Sequence, residues 1–134
     1  MSRSRTTDRS ASEHQRGSAA VEFVLVAPLV LLIFAALVQI GIAVHVRATL
    51  VACAAEGARA GAEATDVESA ALAGTRRALR SSVAQETVQD ISVKETRVEG
   101  ARVVGVTIAA RLPLFGLLGP SRLQVTGRAL REAV

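Results

Sequence analysis

An apolar segment of membrane length constrains this chain more than any other feature. From Phe23 to Val38 the sequence contains no charged residue, and the apolar character continues to Val46 with only two polar interruptions. The combined run exceeds the roughly 20 residues that a helix needs to cross the hydrocarbon core of a bilayer. The segment therefore predicts a transmembrane helix over residues 18–46.

Basic residues flank this segment unequally. Four arginines precede it against two acidic residues, whereas Arg47 stands nearly alone directly after it. An excess of arginine marks the flank that stays in the cytoplasm. We therefore expect residues 1–17 to form a hydrophilic cytoplasmic leader and residues 47–134 to form a small extracytoplasmic domain. The predicted location is the cytoplasmic (inner) membrane, with a single pass.

Small residues continue the helical pattern beyond the span. Alanines recur at spacings of three and four between Arg47 and Ala64, which is typical of a helix with one packed face. Gly57 and Gly61 form a pair of small residues that permits close approach of another helix. The same pair can instead loosen the helix, at about 1 kcal/mol each relative to alanine. We expect an Ala-rich helix with Gly57 and Gly61 as candidate packing positions.

A second helix is predicted after a short break. Thr65-Asp66-Val67-Glu68 has the form of a capping box, with Thr65 as the N-cap and Glu68 at N3. The helix is expected to run to about Val83, with an apolar side and a basic side. The basic side is interpreted as an ordinary solvated face, with contact to anionic lipid head groups as the alternative. The apolar side contains Leu72, Leu79 and Val83, and the basic side contains Arg76, Arg77 and Arg80.

The pattern changes to a two-residue period near Val88, which is typical of half-buried strands. Apolar residues alternate around Ile91 and again from Val104 to Ile108, with a turn predicted at Glu99-Gly100-Ala101. Residues 123–129 suit a third strand. The predicted fold class is α+β, with a long helix, a second short helix and a small antiparallel sheet of about three strands.

An apolar loop is predicted over residues 112–120, where leucines and Phe115 are punctuated by glycine and proline. Several large apolar residues in one connection are unusual on a solvated surface. The loop is either an exposed contact surface or a cover for the open face of the sheet. The sequence does not decide between these two interpretations.

No catalytic constellation is found in the sequence. His14 precedes the span and His45 lies at its far edge, so neither has a plausible partner for nucleophilic or metal chemistry. We expect no enzymatic activity, no cofactor and no metal site. The net charge is +4, and its basic residues are interspersed with acidic ones, so nucleic-acid binding is not expected either.

The single cysteine, Cys53, cannot form an internal disulfide. One interpretation is a small buried side chain, because Cys53 is surrounded by alanines and packs like them. The other is a lipoprotein signal, because Leu50-Val51-Ala52-Cys53 has the appropriate residue types. The apolar region is longer than a removable signal peptide, and Arg47 separates it from the cysteine, which disfavours lipidation.

Several short features follow one another between Arg16 and Ala62. A hydrophilic leader ends at Gly17, and Glu22-Phe23 follow five residues later. An apolar span with Ala27-Pro28-Leu29 comes next, and then Arg47 with Ala54-Ala55-Glu56-Gly57-Ala58-Arg59. In their order and spacing these features resemble the TadE-like family of pseudopilins, which are small membrane proteins of the tight-adherence (Flp-type IVb) pilus machinery.

The resemblance implies cleavage by a prepilin peptidase between Gly17 and Ser18 on the cytoplasmic side. Glu22, followed by Phe23, would then head the mature helix and favour processing or assembly, for example by pairing with the amino terminus of a neighbouring subunit. An ionised group near the hydrocarbon edge is costly without such a partner. A glycine at the cut also gives a protease close access and keeps that peptide from being locked in helix.

The resemblance further implies that the chain is a minor pilin that acts in assembly of the pilus or a related secretion apparatus. Its expected partners are the prepilin peptidase, other pilins and pseudopilins, the inner-membrane pilus assembly platform and the lipid bilayer. Incorporation into the surface pilus and a position at its base both remain open. The competing hypothesis is an unprocessed signal-anchored binding protein, and the third is a lipoprotein lipidated at Cys53.

Overall fold

A computed structural model of the chain describes residues 8–112 and 121–131. The described part contains two long helices, a short 3-10 helix and three strands, so the predicted α+β class is confirmed. The chain divides into two compact units, residues 1–38 and residues 39–134. The elements in chain order are α1 (Asp8–Glu63), α2 (Val67–Arg80), the 3-10 helix (Val83–Thr87), β1 (Val88–Val98), β2 (Ala101–Leu112) and β3 (Ser121–Arg131).

Helix α1 contains both the apolar segment and the Ala-rich segment, as the sequence predicted. It also contains Pro28, and it begins at Asp8, well before the predicted start of the span. Large apolar side chains are exposed along the apolar segment, with 72% of Phe23 and 71% of Leu25 accessible to solvent. Burial of the helix begins in its Ala-rich part, where the smallest side chains contact the rest of the domain.

Helix α2 begins one residue later than the sequence predicted. Its N-cap is Asp66, whose carboxylate accepts a hydrogen bond from the backbone N–H of Ser69 at 3.3 Å. Thr65 is exposed and precedes the cap, so Glu68 falls at N2 and no capping box forms. Aspartate caps helices somewhat better than threonine. Hydrogen bonds from Ser69, through its side chain and its backbone, hold the pKa of Asp66 below its ordinary value.

Helix α2 also ends earlier than predicted, at Arg80 rather than near Val83. The hydroxyl of Ser81 donates to the carbonyl of Ala78 at 2.8 Å, and the hydroxyl of Ser82 donates to the carbonyl of Leu79 at 2.9 Å. These two serines satisfy carbonyl groups that a helix end leaves without partners. The chain then turns into the 3-10 helix, to which Val83 belongs.

The buried face of α2 is narrower than the predicted apolar side. Leu79 is buried as expected, whereas Leu72 is only half-buried. The remaining buried positions are mainly small: Val67, Ala71, Gly74 and Thr75. A face of small residues allows the helix axis to come closer to its neighbour than a leucine face would.

The three strands form an antiparallel sheet in the order β1-β2-β3. The predicted turn is confirmed, because Glu99 and Gly100 have φ values of 50° and 86° and connect β1 to β2. In the centre of the sheet Val106 lies opposite Val93 on β1 and Gly127 on β3. Alternate residues of β2 are buried, which confirms the two-residue period.

One face of the sheet packs against the two helices to form the core. The shared cluster contains small residues from α1 and α2 and branched residues from the strands. Its buried members are Leu50, Cys53, Ala54 and Ala58 of α1, Ala71 and Leu79 of α2, Ala84, and Val106, Ile108, Ala110 and Val125 of the sheet. The alanines allow the two helices and the sheet to pack closely, which explains how so few large side chains fill this core.

Candidate functional site

The predicted cleavage position lies inside a helix. Gly17 and Ser18 are exposed residues of α1, and a Cβ added to Gly17 would meet no other atom within 4 Å. The helical structure at Gly17 shows that one glycine does not exclude this peptide from α1. The neighbouring Ala19 and Ala20 are strong helix formers, and one glycine lowers helix stability by only about 1 kcal/mol. Cleavage at this bond would require local unwinding of α1.

Glu22 and Phe23 are both exposed on α1. Among the described residues, the carboxylate of Glu22 has no salt bridge. Glu22 is thus a single acidic side chain at the head of an apolar helix, with its carboxylate available to a group from another molecule. Phe23 presents its ring to the same surroundings, since 72% of it is accessible.

In the described part of the chain, one helix is long and apolar enough to cross a membrane, judged by its length and composition. None of its most apolar window is buried inside the protein. In the core of a soluble protein, this apolar surface would be buried against other elements. Its exposure here therefore favours an environment of lipid or of other helices. Helix α1 is therefore a candidate membrane anchor.

The two glycines singled out from the sequence lie where α1 contacts α2. A Cβ added to Gly61 would approach the Ala71 Cβ to 2.8 Å and the Val67 carbonyl oxygen to 2.9 Å. A Cβ added to Gly57 would overlap the Thr75 hydroxyl and lie 2.8 Å from the Ala71 carbonyl oxygen. Both glycines are buried, so they allow close packing between two helices of the same chain.

Two further glycines complete this close packing, and sequence reasoning missed both. A Cβ on Gly74 of α2 would lie 2.8 Å from the Ala60 Cβ. A Cβ on Gly127 of β3 would overlap the backbone of Ala54 and Ala55, with 2.6 Å to the Ala55 Cα. The sequence pattern places Gly127 in a third strand without indicating its contact with α1. A glycine inside a strand pattern is a signal of close backbone approach, and it identifies this contact in retrospect.

The far end of α1 is held by an arginine from β3. Arg131 donates a hydrogen bond from its guanidinium group to the carbonyl of Ala64 at 3.2 Å, and the same group lies 3.7 Å from the Glu95 carboxylate. Helix α1 has no basic residue in its own last turn. A cation at a helix C-terminus interacts favourably with the helix dipole and with the terminal carbonyl groups. The sequence contained no local signal for this long-range contact.

Cys53 is a core residue with 5% of its surface exposed. Burial raises the pKa of its thiol above the ordinary value, and a hydrogen bond with Ser82 lowers it by a smaller amount. The interpretation of Cys53 as a small buried side chain is therefore confirmed. Its position in the middle of α1 gives no support to lipidation, which requires an accessible cysteine at a new amino terminus.

The arginines of α2 are exposed, which fits a solvated basic face. Two of them, Arg76 and Arg80, line a cleft of about 280 Å³ together with Leu79, Gln85, Val88 and Ile91. The predicted apolar loop falls mostly on residues 113–120, which lie outside the described residues. Its two interpretations therefore remain predictions.

The outer face of the sheet carries a shallow groove of about 260 Å³. The groove lies over Gly105 of β2, whose cross-strand neighbours are Lys94 and Arg128. A Cβ added to Gly105 would make only an ordinary contact, 3.6 Å from the Lys94 carbonyl oxygen. This surface combines two cations with threonine hydroxyl groups and valines, and sequence reasoning did not identify it.

An exposed apolar helix headed by one carboxylate, followed by a small α+β domain, defines a candidate membrane-anchored protein with one span. A family model described as TadE-like protein matches residues 17–59. This match confirms the resemblance over the segment that begins at Gly17 and includes Glu22 and Gly57. No curated protein matches the chain, and no solved structure matches it.

Proposed function

We propose that this chain is a minor pilin that acts in assembly of a tight-adherence pilus or of a related secretion apparatus. The observation that carries the proposal is the exposed apolar part of α1, which is headed by Glu22 inside the segment that matches the TadE-like family. An apolar helix of this length is stable in lipid, and it can leave lipid without loss if other apolar helices cover it. A pilin-like subunit uses both environments in turn.

In this proposal a prepilin peptidase removes residues 1–17 on the cytoplasmic side. The bond between Gly17 and Ser18 lies in α1, so the peptidase acts on a locally unwound segment. Gly17 contributes to that unwinding, since glycine weakens a helix and offers a protease an unobstructed backbone. The product is a chain whose helix begins at Ser18 and carries a new α-amino group.

Glu22 then guides lateral packing of the span. Its carboxylate is exposed near the head of the span, where an unpaired charge is costly to bury. A neighbouring subunit offers an α-amino group as a counter-ion, and an ion pair in a low-dielectric environment is strongly preferred over an unpaired charge. The small extracytoplasmic domain supplies the surface that selects partners.

The proposal is tested by Glu22→Gln, which keeps the size of the side chain and removes its charge. Glu63→Gln, which makes the same change at an exposed position of α1 outside the span, is the matched control. Membranes from cells that express the other pilus components are cross-linked, and adducts between this chain and pilins are quantified. We expect several-fold fewer adducts for Glu22→Gln and no change for Glu63→Gln. Equal yields from all three chains would contradict the role of Glu22 in assembly.

A second candidate function is an unprocessed signal-anchored binding protein. The groove over Gly105, with Lys94 and Arg128 on either side, is the observation that favours it. Gly105→Val would add apolar bulk to this groove, and its Cβ would make only an ordinary contact with the Lys94 carbonyl oxygen. A chain that keeps its leader and loses a bound acidic ligand through Gly105→Val would support the second function against the first.

A further inference from the structure

The extracytoplasmic domain has two ends that the packing of α1 and α2 defines. At one end Arg131 contacts Ala64, immediately after α1 ends. At the other end His45 and Thr49 of α1 lie beside Ser81 and Ser82, which follow α2, around a shared cleft of about 250 Å³. The second end is the one at which the candidate span enters the domain. We refer to it as the membrane-proximal end.

Strands β2 and β3 bring two arginines to the same end. Arg111 of β2 lies opposite Arg122 of β3, next to the last pair of the ladder, Leu112 and Ser121. Gly127 lies against Ala54 and Ala55. Arg122 precedes Gly127 by five residues. It therefore lies about 16 Å along the strand from that contact, toward the membrane-proximal end, at about 3.3 Å per residue.

Helix α1 comes within about 5 Å of that level by an independent count. Arg47 lies about 11 Å of helix below Ala54, at about 1.5 Å per residue. The half-buried Val46 and Leu123 both pack against the core cluster, so the helix and the strand stay together down to this level. Arg47, Arg111 and Arg122 therefore lie at comparable heights at the membrane-proximal end.

The last turns of α2 bring three further arginines to this end, directly before Ser81. Six exposed arginines thus lie on the segments that lead to the membrane-proximal end, with Arg76 and Arg77 up to about one helical turn further from it than Arg80. None of the six forms a salt bridge with a carboxylate in the described residues. At the opposite end Arg131 is paired with Glu95, whereas Arg97 and Arg102 are exposed there without a salt bridge in the described residues. The six are Arg47, Arg76, Arg77, Arg80, Arg111 and Arg122; we call them the arginine collar.

We propose that the arginine collar binds anionic phospholipid head groups of the leaflet from which the domain emerges. This inference rests on the proposed function, because it takes residues 18–46 as the membrane span. Guanidinium groups pair with phosphate oxygens in a bidentate geometry. Each arginine near an anionic membrane surface strengthens attachment by about fivefold. The collar holds the domain against the bilayer while the span stays in lipid.

The cleft beside α2 supports a lipid as the occupant. Arg76 and Arg80 lie at its rim, whereas Leu79, Val88 and Ile91 supply an apolar lining. A phospholipid presents the same combination, with an anionic phosphate directly attached to an apolar body. An ordinary solvated basic face has no need of this apolar lining.

The test compares two variants with equal changes in charge. Arg80→Gln with Arg122→Gln removes two charges from the collar, and Arg97→Gln with Arg102→Gln removes two exposed charges from elsewhere in the sheet. Each full-length chain is incorporated into nanodiscs of equimolar phosphatidylglycerol and phosphatidylcholine. The retained lipids are counted by native mass spectrometry. The labelling rate of the buried Cys53 verifies that each variant is folded.

We expect the wild-type chain and the Arg97/Arg102 variant to retain phosphatidylglycerol preferentially. The Arg80/Arg122 variant should lose this preference by about fivefold for each arginine removed, which is about 25-fold in all. Equal retention of both lipids by the wild-type chain would overturn the collar, as would an equal loss in both variants. Displacement of the phosphatidylglycerol by inorganic phosphate would show a phosphate site and would also overturn it.

Two further outcomes separate this inference from the proposed function. A chain that enters nanodiscs but shows no lipid preference contradicts the collar and leaves the span intact. A chain that fails to enter nanodiscs of either lipid contradicts the span and the collar together. If the Arg80/Arg122 variant loses a co-purifying protein while its lipid preference is unchanged, the arginines serve a protein partner and the lipid proposal is wrong.

Discussion

The two halves of α1 differ in how much of their surface the rest of the protein buries. In the half that precedes Val46, large apolar side chains are exposed, as Phe23 and Leu25 show. In the half that follows, Leu50, Ala54 and Ala58 are completely buried by the rest of the domain. The first half carries large apolar side chains that the described residues leave exposed. The second half carries mostly small side chains, which allow α2 and the sheet to pack closely against it.

The size of the side chains along α1 therefore matters to the fold only where other parts of the domain pack against the helix. Gly41 and Gly57 illustrate it well. A Cβ on Gly41 would meet nothing within 4 Å, whereas a Cβ on Gly57 would overlap the Thr75 hydroxyl. A glycine in the packed half is therefore required by its neighbours, and a glycine in the exposed half is available for contacts with other molecules.

The strongest test of the packed half is Gly127→Ala. The added Cβ would overlap the backbone of Ala54 and Ala55, and backbone atoms cannot move away as a flexible side chain can. We expect the free energy of unfolding to fall by about 3 kcal/mol, at the upper end of the range for overpacking. The measurement is thermal labelling of Cys53, whose buried thiol reacts only when the domain opens.

Gly105→Ala is the matched control for Gly127→Ala, since it makes the same change on the outer face of the sheet. Its Cβ would make an ordinary contact at 3.6 Å, and alanine in a strand is about 0.5–1 kcal/mol more favourable than glycine. The labelling temperature should therefore stay the same or rise. A loss of stability equal to that of Gly127→Ala would mean that the sheet face does not rest on α1 as described.

The comparison between the halves of α1 is sharpened by Gly57→Ala and Gly41→Ala. Gly57→Ala should lower the free energy of unfolding by about 1–3 kcal/mol, because the new methyl group conflicts with Thr75 and with the Ala71 carbonyl. Gly41→Ala should leave the Cys53 labelling temperature unchanged. The double substitution Gly57→Ala with Thr75→Ala should recover part of the loss, since the nearest obstacle is removed. No recovery would contradict the predicted contact between the two residues.

A smaller effect is expected from pH, because burial raises the pKa of the Cys53 thiol above the ordinary value of 9.0. The folded domain therefore favours the protonated thiol. The resulting stability is fully present below pH 9.0 and is lost as pH rises through the higher pKa of the folded state. The loss is at most about 1.4 kcal/mol per pH unit.

Unfolding followed by circular dichroism from pH 7 to 11 tests this dependence. Cys53→Ala should show a shallower decline than the wild-type chain above pH 9.0. Identical declines in the two chains would show that the thiol does not contribute to the alkaline instability.

The smallest expected effect is that of Arg131→Gln, at the far end of the packed half. Arg131 is partly exposed, and its contact with Glu95 at 3.7 Å is loose, so solvent screens much of the interaction. We expect a loss below about 1 kcal/mol, mainly through the hydrogen bond to Ala64. Arg128→Gln, which lies on the outer face of the same strand, is the control. An equal loss from both would assign the effect to general charge.

Much of the fold followed from local patterns. The apolar run predicted the long helix, the alternation around Val106 predicted the sheet, and Glu99-Gly100 predicted its turn. The limits of α2 were less accurate, because Thr65 and Asp66 are both competent caps and differ little in free energy. The end of the helix depended on Ser81 and Ser82, whose hydroxyl groups can also serve a helix interior or a loop.

The long-range contacts were harder to predict, since no local pattern encodes them. Arg131 is separated from Ala64 by half of the chain. Gly127 has a low strand propensity, and only its contact with α1 shows why a glycine stands there. The arginine collar has the same origin, because the packing of two helices against a sheet brings Arg80 of α2 and Arg122 of β3 to the same end of the domain. The residues at the head of the span are exposed, so their role depends on partners rather than on the fold.

In the proposed function, the exposed half of α1 becomes a mature pilin-like helix. The most direct test is the N-terminus of the membrane-extracted chain, determined by intact mass and terminal sequencing in cells with and without the prepilin peptidase. The account predicts a chain that begins at Ser18 only where the peptidase is present. A chain that keeps residues 1–17 in both cell types would contradict it and leave the signal-anchored binding protein as the better explanation.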